Sequence, residues 1–512
     1  MPANTALEFD FRELLSFPRL AWALTWERGA GIAKVFHGPW VETNKAFFVE
    51  GAWDGGFSAA QFDSSFMTGT GGKIEGDRLL LATPSHTLDR LNVIEKSGVL
   101  YVSNSLPCLL AAADEALDRT FLFYDSYVAS IKYGLGAYEK RIPTLSGRAL
   151  EFYYCCNLVV SRDHEIRSTP KVASPRFRSY AAYRDVVNTV VRQIGLNSMD
   201  RSRKVNYKPL ATVSRGYDSP TAMILSMLAD CKEAITFKGS RGTVADEDCG
   251  TRLAEMVGLS VKEFGRLDYC RRGDFPEVLN SGGPSEFLSF GDALSGRLLF
   301  TGFHGDKIWD KNCDKISTDF IRGDASGVSL TELRLQEGFC HLPVAFIGGD
   351  RHPDIVRISN DDDMAAWSLH NTYDRPICRR IVEGAGIPRA MFGQQKRAAG
   401  VLVSSEGLAA TMSEHSLKEF EQYLAEYWTV RMSTKSILFG IVKRAASLID
   451  SVARAGARAS LLLGLSRKVL RPPDVIPHKL AMLANGYLGK EALLFHWGHE
   501  KLTASYKSAL ST

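Results

Sequence analysis

Between about residues 208 and 301, short apolar runs alternate with helix-period segments, and this alternation limits the fold more than any other feature of the chain. Leu210 to Val213, Ala234 to Phe237, Ser260 to Phe264 and Arg297 to Thr301 read as four strands. Pro220 to Ala229 and Asp246 to Gly258 read as helices. Pro220 sits where a first helical turn tolerates it, and Asp246, Glu247 and Asp248 fall where the helix dipole favours acids. Parallel strands need crossover connections, usually helices, so the pattern points to an α/β unit built on a doubly wound parallel sheet.

What flanks this unit has a different texture. Residues 1–178 mix short β-type runs with turn signals and frequent aromatics: Ala46 to Glu50, Leu79 to Ala82, Val99 to Ser103 and Asn157 to Ser161. They read as a strand-rich α+β domain. The Gly-Thr-Gly-Gly stretch at 69–72 reads as a hairpin turn, because no helical pattern follows it to make a phosphate loop. A polar stretch from Ser174 to Arg178 then leads into a helical pattern from Tyr180 to Leu196, which divides 1–178 from a parallel-sheet domain at 179–404. Residues 405–512 read as a helical C-terminal region broken by Pro472-Pro473.

A chain of 512 residues has room for about three domains, and 45% apolar residues suffice to fill their cores, so disordered and collagen-like classes are excluded. Nine cysteines are an odd number with no C-x-x-C pair, and the adjacent Cys155 and Cys156 lie in one apolar strand-like run, Phe152 to Val160. A reduced intracellular protein is the expectation. The N-terminus lacks a basic region followed by an apolar one, and no apolar run approaches the ~20 residues of a membrane span, so the expected location is cytoplasmic.

Two loops carry the chemistry. The first strand ends in Ser214-Arg215-Gly216-Tyr217-Asp218-Ser219 and opens directly into a helix, an arrangement that offers backbone N–H groups to an anion, naturally a phosphate. It is not a Walker A loop, because the G-x-x-x-x-G-K-[ST] spacing is absent. The fourth strand runs into Gly302-Phe303-His304-Gly305-Asp306-Lys307. A third segment holds Tyr373-Asp374-Arg375-Pro376, Arg379-Arg380, Ile387-Pro388-Arg389 and finally Phe392-Gly393-Gln394-Gln395-Lys396.

The first loop resembles the S-G-G-x-D-S loop of the PP-loop ATP pyrophosphatases, with Ser214, Gly216, Asp218 and Ser219 matching and Arg215 replacing a glycine. The second resembles the G-x-G-x-D-E loop of the asparagine-synthetase branch, and the third its late helical part ending in a lysine. Together they cover about residues 208–400 and mark a resemblance to asparagine-synthetase-like proteins, including β-lactam synthetases and lasso-peptide cyclases.

The resemblance implies a glutaminase-like N-terminal domain and a strand order 3-2-1-4, with the first and fourth strands adjacent. It implies ATP bound by Ser214, Arg215, Gly216, Asp218, Ser219, Gly302, Gly305 and Lys307, Mg²⁺ held by Asp218 and Asp306, and Lys396 stabilising charge during amide formation. Tyr373 and His304 are candidate general bases. The expected reaction joins a substrate carboxylate to an amine, on a small molecule or a peptide.

The chain departs from the family in ways that bear on this. It begins Met1-Pro2-Ala3 with no cysteine before Cys108, so the nucleophile that opens glutamine is not expected. Arg215 and Lys307 replace a glycine and an acid, which leaves open a nucleotide-binding scaffold that has lost turnover. An RNA-modifying PP-loop enzyme is a further alternative, although no nucleic-acid module is visible and no nucleic-acid partner is expected. His496 and His499 lack companion ligands for a metal, and Asp361-Asp362-Asp363 reads as a solvated loop or helix start.

The formal charge of +4 is unevenly spread. The segment 431–471 has nine basic residues against Asp450 alone, a local +8 that leaves −4 for the remainder. With apolar residues interleaved, this basic stretch is a candidate contact for an anionic membrane surface or an acidic partner, or a helix packed on the body with a solvated basic face.

Overall fold

The computed structural model describes residues 6–121, 123–238, 248–272, 285–328, 330–395, 407–432 and 490–511. In the N-terminal part, β1 (Glu8–Glu13), β3 (Ile32–His37), β2 (Trp22–Glu27), β9 (Val99–Ser103), β8 (Leu91–Lys96), β11 (Ala149–Tyr153) and β10 (Arg141–Pro143) lie in that order in one sheet. A second sheet runs β13 (Ile166–Pro170), β12 (Cys156–Val160), β7 (Arg78–Ala82), β6 (Met67–Glu75), β5 (Phe47–Trp53) and β4 (Glu42–Thr43). Alternation along the strands gives each sheet an apolar inner face, and Trp22, Leu24, Val35, Phe48, Leu81, Val93, Val102 and Leu158 form the core between them. Outside the first sheet lie α1 (Leu106–Ala112), α2 (Tyr124–Ala129) and the helix Lys490–Leu510, while α3 (Tyr180–Ser198) packs on β5 of the second. The layers therefore run helix, sheet, sheet, helix.

Two local readings are corrected here. The glycines at 69–72 are not a turn but the interior of β6, and Gly69 (φ +80°) faces Gly51 (φ +152°) across the ladder. A Cβ on either would run into the backbone carbonyl of the opposite strand, so the glycines serve close strand approach rather than a reversal. The apolar run Phe152 to Val160 is likewise two strands. Cys155, at φ +49°, breaks it and passes the chain from the first sheet to the second. All nine cysteines are free thiols.

The alternating segment forms the third sheet, five strands in the order β16 (Ser260–Phe264), β15 (Glu233–Phe237), β14 (Lys208–Thr212), β17 (Arg297–Thr301), β18 (Cys340–Pro343), every pair parallel. In order of appearance this is 3-2-1-4-5, and β18, only four residues long, extends the four expected strands. Both faces are covered, as a parallel sheet requires. Ala211, Leu298, Phe300 and Leu342 pack under α3, α4 (Asp218–Ser226) and α9 (Pro376–Gly384), while Leu210, Ile235 and Leu299 meet Phe287, Phe290, Leu294 and Leu333 on the other side.

The expected helix Asp246–Gly258 is shorter, α5 (Thr251–Met256), with 239–247 outside the described residues. Asp248 is not in its first turn: the Asp248 carboxylate accepts from the Arg215 N–H (3.2 Å), and Cys249 forms a bridge with Ser214, so the helix starts later. Asp361 caps a short 3-10 turn, in keeping with its reading as a helix start. Among the described residues no helix is long and apolar enough to cross a membrane. The basic stretch 431–471 falls almost wholly outside them, and the side chain of Arg431 is not described.

The sandwich and the parallel sheet meet along a polar seam. Arg334, in α7 (Thr331–Glu337), pairs with Glu50 of β5 and lies 3.3 Å from Asp89, and the Thr68 hydroxyl of β6 donates to the His341 carbonyl of β18. Nearby, burial pushes the Glu332 carboxyl up to about 7, against hydrogen bonds from Ser105 and Tyr506 and the charge of Arg90. A folded-state pKa above the unfolded value means stability fully present below about pH 4.5 and lost as pH rises through about 7, on the order of 3 kcal/mol in all. Glu332→Gln is expected to flatten this slope. Urea midpoints measured at pH 5 and pH 8 check it, and an unchanged slope in the variant would remove Glu332 as the cause.

Candidate functional site

The loop after β14 is held from both ends. The Ser214 and Ser219 hydroxyls are hydrogen-bonded to each other at 2.8 Å, and the Gly216 N–H approaches Ser214 Oγ at 3.4 Å. Gly216 has neither a positive φ nor a close neighbour that a Cβ would displace, so the loop needs no glycine there for space or conformation. A Cβ there would face Tyr373 Oη at 3.6 Å and Ser214 Oγ at 3.7 Å, so its open side is ringed by hydroxyls. Arg215, where the resembling loop has a glycine, has no positive φ. Its Nε donates to the Met391 carbonyl (3.3 Å), and its own carbonyl accepts from the Gly393 N–H (2.8 Å), which ties the loop to the third motif. Tyr217, buried, opens α4 and accepts from Arg379 through its hydroxyl (2.6 Å).

Because β14 and β17 are neighbours, the second loop lies directly against the first. A Cβ on Gly302 would come within 2.6 Å of Asp218 Cβ, and one on Gly305 within 2.6 Å of Asp218 Oδ1 and 2.7 Å of the Trp309 ring. Both glycines are the condition for this contact, which brings the backbone of the second loop against the Asp218 side chain. Asp306 and Lys307 are in α6 (Gly305–Ile308), where Lys307 Nζ lies 3.7 Å from Asp306 Oδ2.

The third motif contributes a residue that carried no assigned role, Arg375. Its side chain is almost fully buried and its Nη1 pairs with Asp218 Oδ1, 157 residues away. The guanidinium lies over the rings of Tyr373 (5.0 Å) and Tyr217 (5.7 Å), and Pro376 at the start of α9 fixes where the side chain leaves the backbone. The sequence signal was the Asp-Arg-Pro triplet itself; its partner could be found only through the fold.

The two candidate bases fare differently. Tyr373 is in the crevice, but burial pushes its phenol well above the ordinary range and Arg375 only partly offsets this, which suits a hydrogen-bond donor and not a base. His304 does not reach the crevice. Held at φ +69°, its ring stacks on Phe346 (4.9 Å), and both nitrogens are buried with no hydrogen-bond partner. Burial, reinforced by the charge of Arg322, keeps it neutral. Lys396 lies outside the described residues. His496 and His499 are core residues of the last helix, bonded to the carbonyls of Phe121 and Phe495.

The donor set around this crevice is that of an anion site: three hydroxyls, a helix start and Arg375. For a resident Mg²⁺ it is a poor match. Each carboxylate already faces a cation of the chain, Asp218 that of Arg375 and Asp306 that of Lys307, and the described residues contain no cluster of three or more His, Cys, Asp or Glu able to hold a metal. The sequence matches no protein-family model, and no curated protein matches it.

Proposed function

We propose that this crevice binds ATP and that the chain is an ATP-dependent carbon–nitrogen ligase or cyclase of the asparagine-synthetase-like type. The observation that carries the reading is the contact of the two loops: adjacent parallel strands at the reversal of strand order bring Asp218 against Gly302 and Gly305, at the point where α/β sheets bind ligands. The helix–sheet–sheet–helix layering of the N-terminal part agrees with a glutaminase-like domain lacking its cysteine.

In this reading a substrate carboxylate oxygen bonds to the α-phosphorus of ATP while the bond to the bridging oxygen breaks, releasing pyrophosphate. An amine then bonds to the acyl carbon, AMP leaves with the former carboxylate oxygen, and the amine proton passes to solvent or to AMP. Ser214, Gly216 and Ser219 hold the pyrophosphate part, Arg375 and Lys307 balance its charge, and Lys396 meets the acyl intermediate. Mg²⁺ would arrive as part of the nucleotide substrate. Pyrophosphate release from ATP, measured with panels of carboxylates and amines, tests the reading, with one equivalent of AMP per amide expected.

A second reading, a scaffold that binds nucleotide without turnover, is favoured by the paired state of both carboxylates. It predicts calorimetric ATP binding with no AMP formed under any substrate panel.

A further inference from the structure

The ion pair at the floor of the crevice has a consequence for the ligand. A guanidinium stays charged in any protein environment, so Arg375, nearly buried, fixes one positive charge beside Asp218. A divalent cation added there would sit against that charge. A phosphate group would not: it can take the guanidinium's donors, a planar fork suited to phosphate oxygens, and release Asp218. The surroundings allow this exchange. Arg375 rests on the faces of Tyr217 and Tyr373, which hold it without using its donors, and the Tyr373 hydroxyl lies across the open side of Gly216, on the same side as Ser214 Oγ.

We propose that Arg375 is the phosphate-binding cation of this crevice, held by Asp218 until a ligand enters, so that the chain binds pyrophosphate through its own charges and without a divalent metal. The proposal rests on the nucleotide reading above and makes it more specific: the ligand class is the pyrophosphate group itself, and metal is needed for chemistry on ATP but not for holding the anion.

Calorimetry of the full chain with inorganic pyrophosphate, in EDTA and in Mg²⁺, tests it. The expected result is a dissociation constant that changes less than about threefold between the two conditions and rises at least tenfold in Arg375→Met. Because that variant takes away the guanidinium that Asp218 faces, the double variant Asp218→Asn with Arg375→Met, which removes both charges, is measured beside it and is expected to show the same weakening with a near-native unfolding midpoint. Pyrophosphate binding that disappears in EDTA and returns with Mg²⁺, or that survives Arg375→Met unchanged, overturns the inference while leaving the nucleotide reading intact. Absence of both pyrophosphate and ATP binding in every condition overturns the nucleotide reading as well.

Discussion

Asp218→Asn is expected to separate binding from turnover, slowing pyrophosphate release at least about 100-fold while tightening the hold on free pyrophosphate about tenfold or more. The two signs follow from one pair. Asp218 positions Arg375 for the nucleotide, and a misplacement of about 1 Å in such a group costs on the order of 100-fold in rate. The same substitution leaves the guanidinium without a competing carboxylate, and a charge-assisted hydrogen bond transferred to phosphate is worth about 1.5–3 kcal/mol.

In the absence of ligand the variant also loses stability. Removing one partner of a buried pair costs about 3–5 kcal/mol, and this case falls toward the low end because the Asp218 side chain is 24% exposed and water can approach. Pyrophosphate at about 100 times its dissociation constant then restores about 2.7 kcal/mol, so the unfolding midpoint rises steeply with ligand. Turnover within a few-fold of the parent, or weaker pyrophosphate binding in the variant, would reject the coupling between Asp218 and Arg375.

That pair also shows what the sequence could and could not disclose. Four of the five strands of the parallel sheet were legible because they are short apolar runs alternating with helix periodicity, whereas the four-residue β18 was not, and the loops were legible because their motifs are contiguous. Contacts made by tertiary folding were not. Asp218 and Arg375 are 157 residues apart, and neither carries a local mark of its partner. The glycines of β6 were misread because close strand approach and a tight turn call for the same residue, and only the opposite strand distinguishes them. The start of α5 moved because Asp248 is drawn to the Arg215 N–H, a competition between side-chain and helical bonding that periodicity does not record. His304 was legible as a loop residue of the motif, but its αL backbone turns the ring onto Phe346 and away from the crevice.

The largest loss of stability is expected from Arg334→Met, at the seam that joins the sandwich to the parallel sheet. Arg334 is 1% exposed and is shared by two carboxylates, Glu50 at 0% and Asp89 at 4%. Burial raises the Asp89 carboxyl, yet the Arg334 guanidinium, with smaller help from its other neighbours, outweighs it and holds the group below its ordinary value. Without Arg334, Glu50 keeps only neutral donors, Thr70 and Asn104, and Asp89 keeps Thr331 as its hydrogen-bond donor.

Two buried charges that lose their counter-ion cost at least the ~3–5 kcal/mol of a broken buried pair, whereas replacing the whole set by neutral groups of similar size is near neutral. The deficit should therefore be largest at pH 8. It should shrink as pH falls and the Asp89 carboxyl, no longer held down by the guanidinium, takes up a proton, and most of it should be recovered at pH 8 by adding Glu50→Gln and Asp89→Asn. Urea unfolding followed by the fluorescence of the buried Trp22, Trp26 and Trp53 reports on the sandwich side of the seam. A variant within about 1 kcal/mol of the parent at pH 8 would mean that the seam is held by packing and not by this charge. The effect should extend to the crevice, because β6 is tied through Thr68 to His341 of β18, and β18 is the neighbour of β17, whose end carries the Gly302–Asp306 loop.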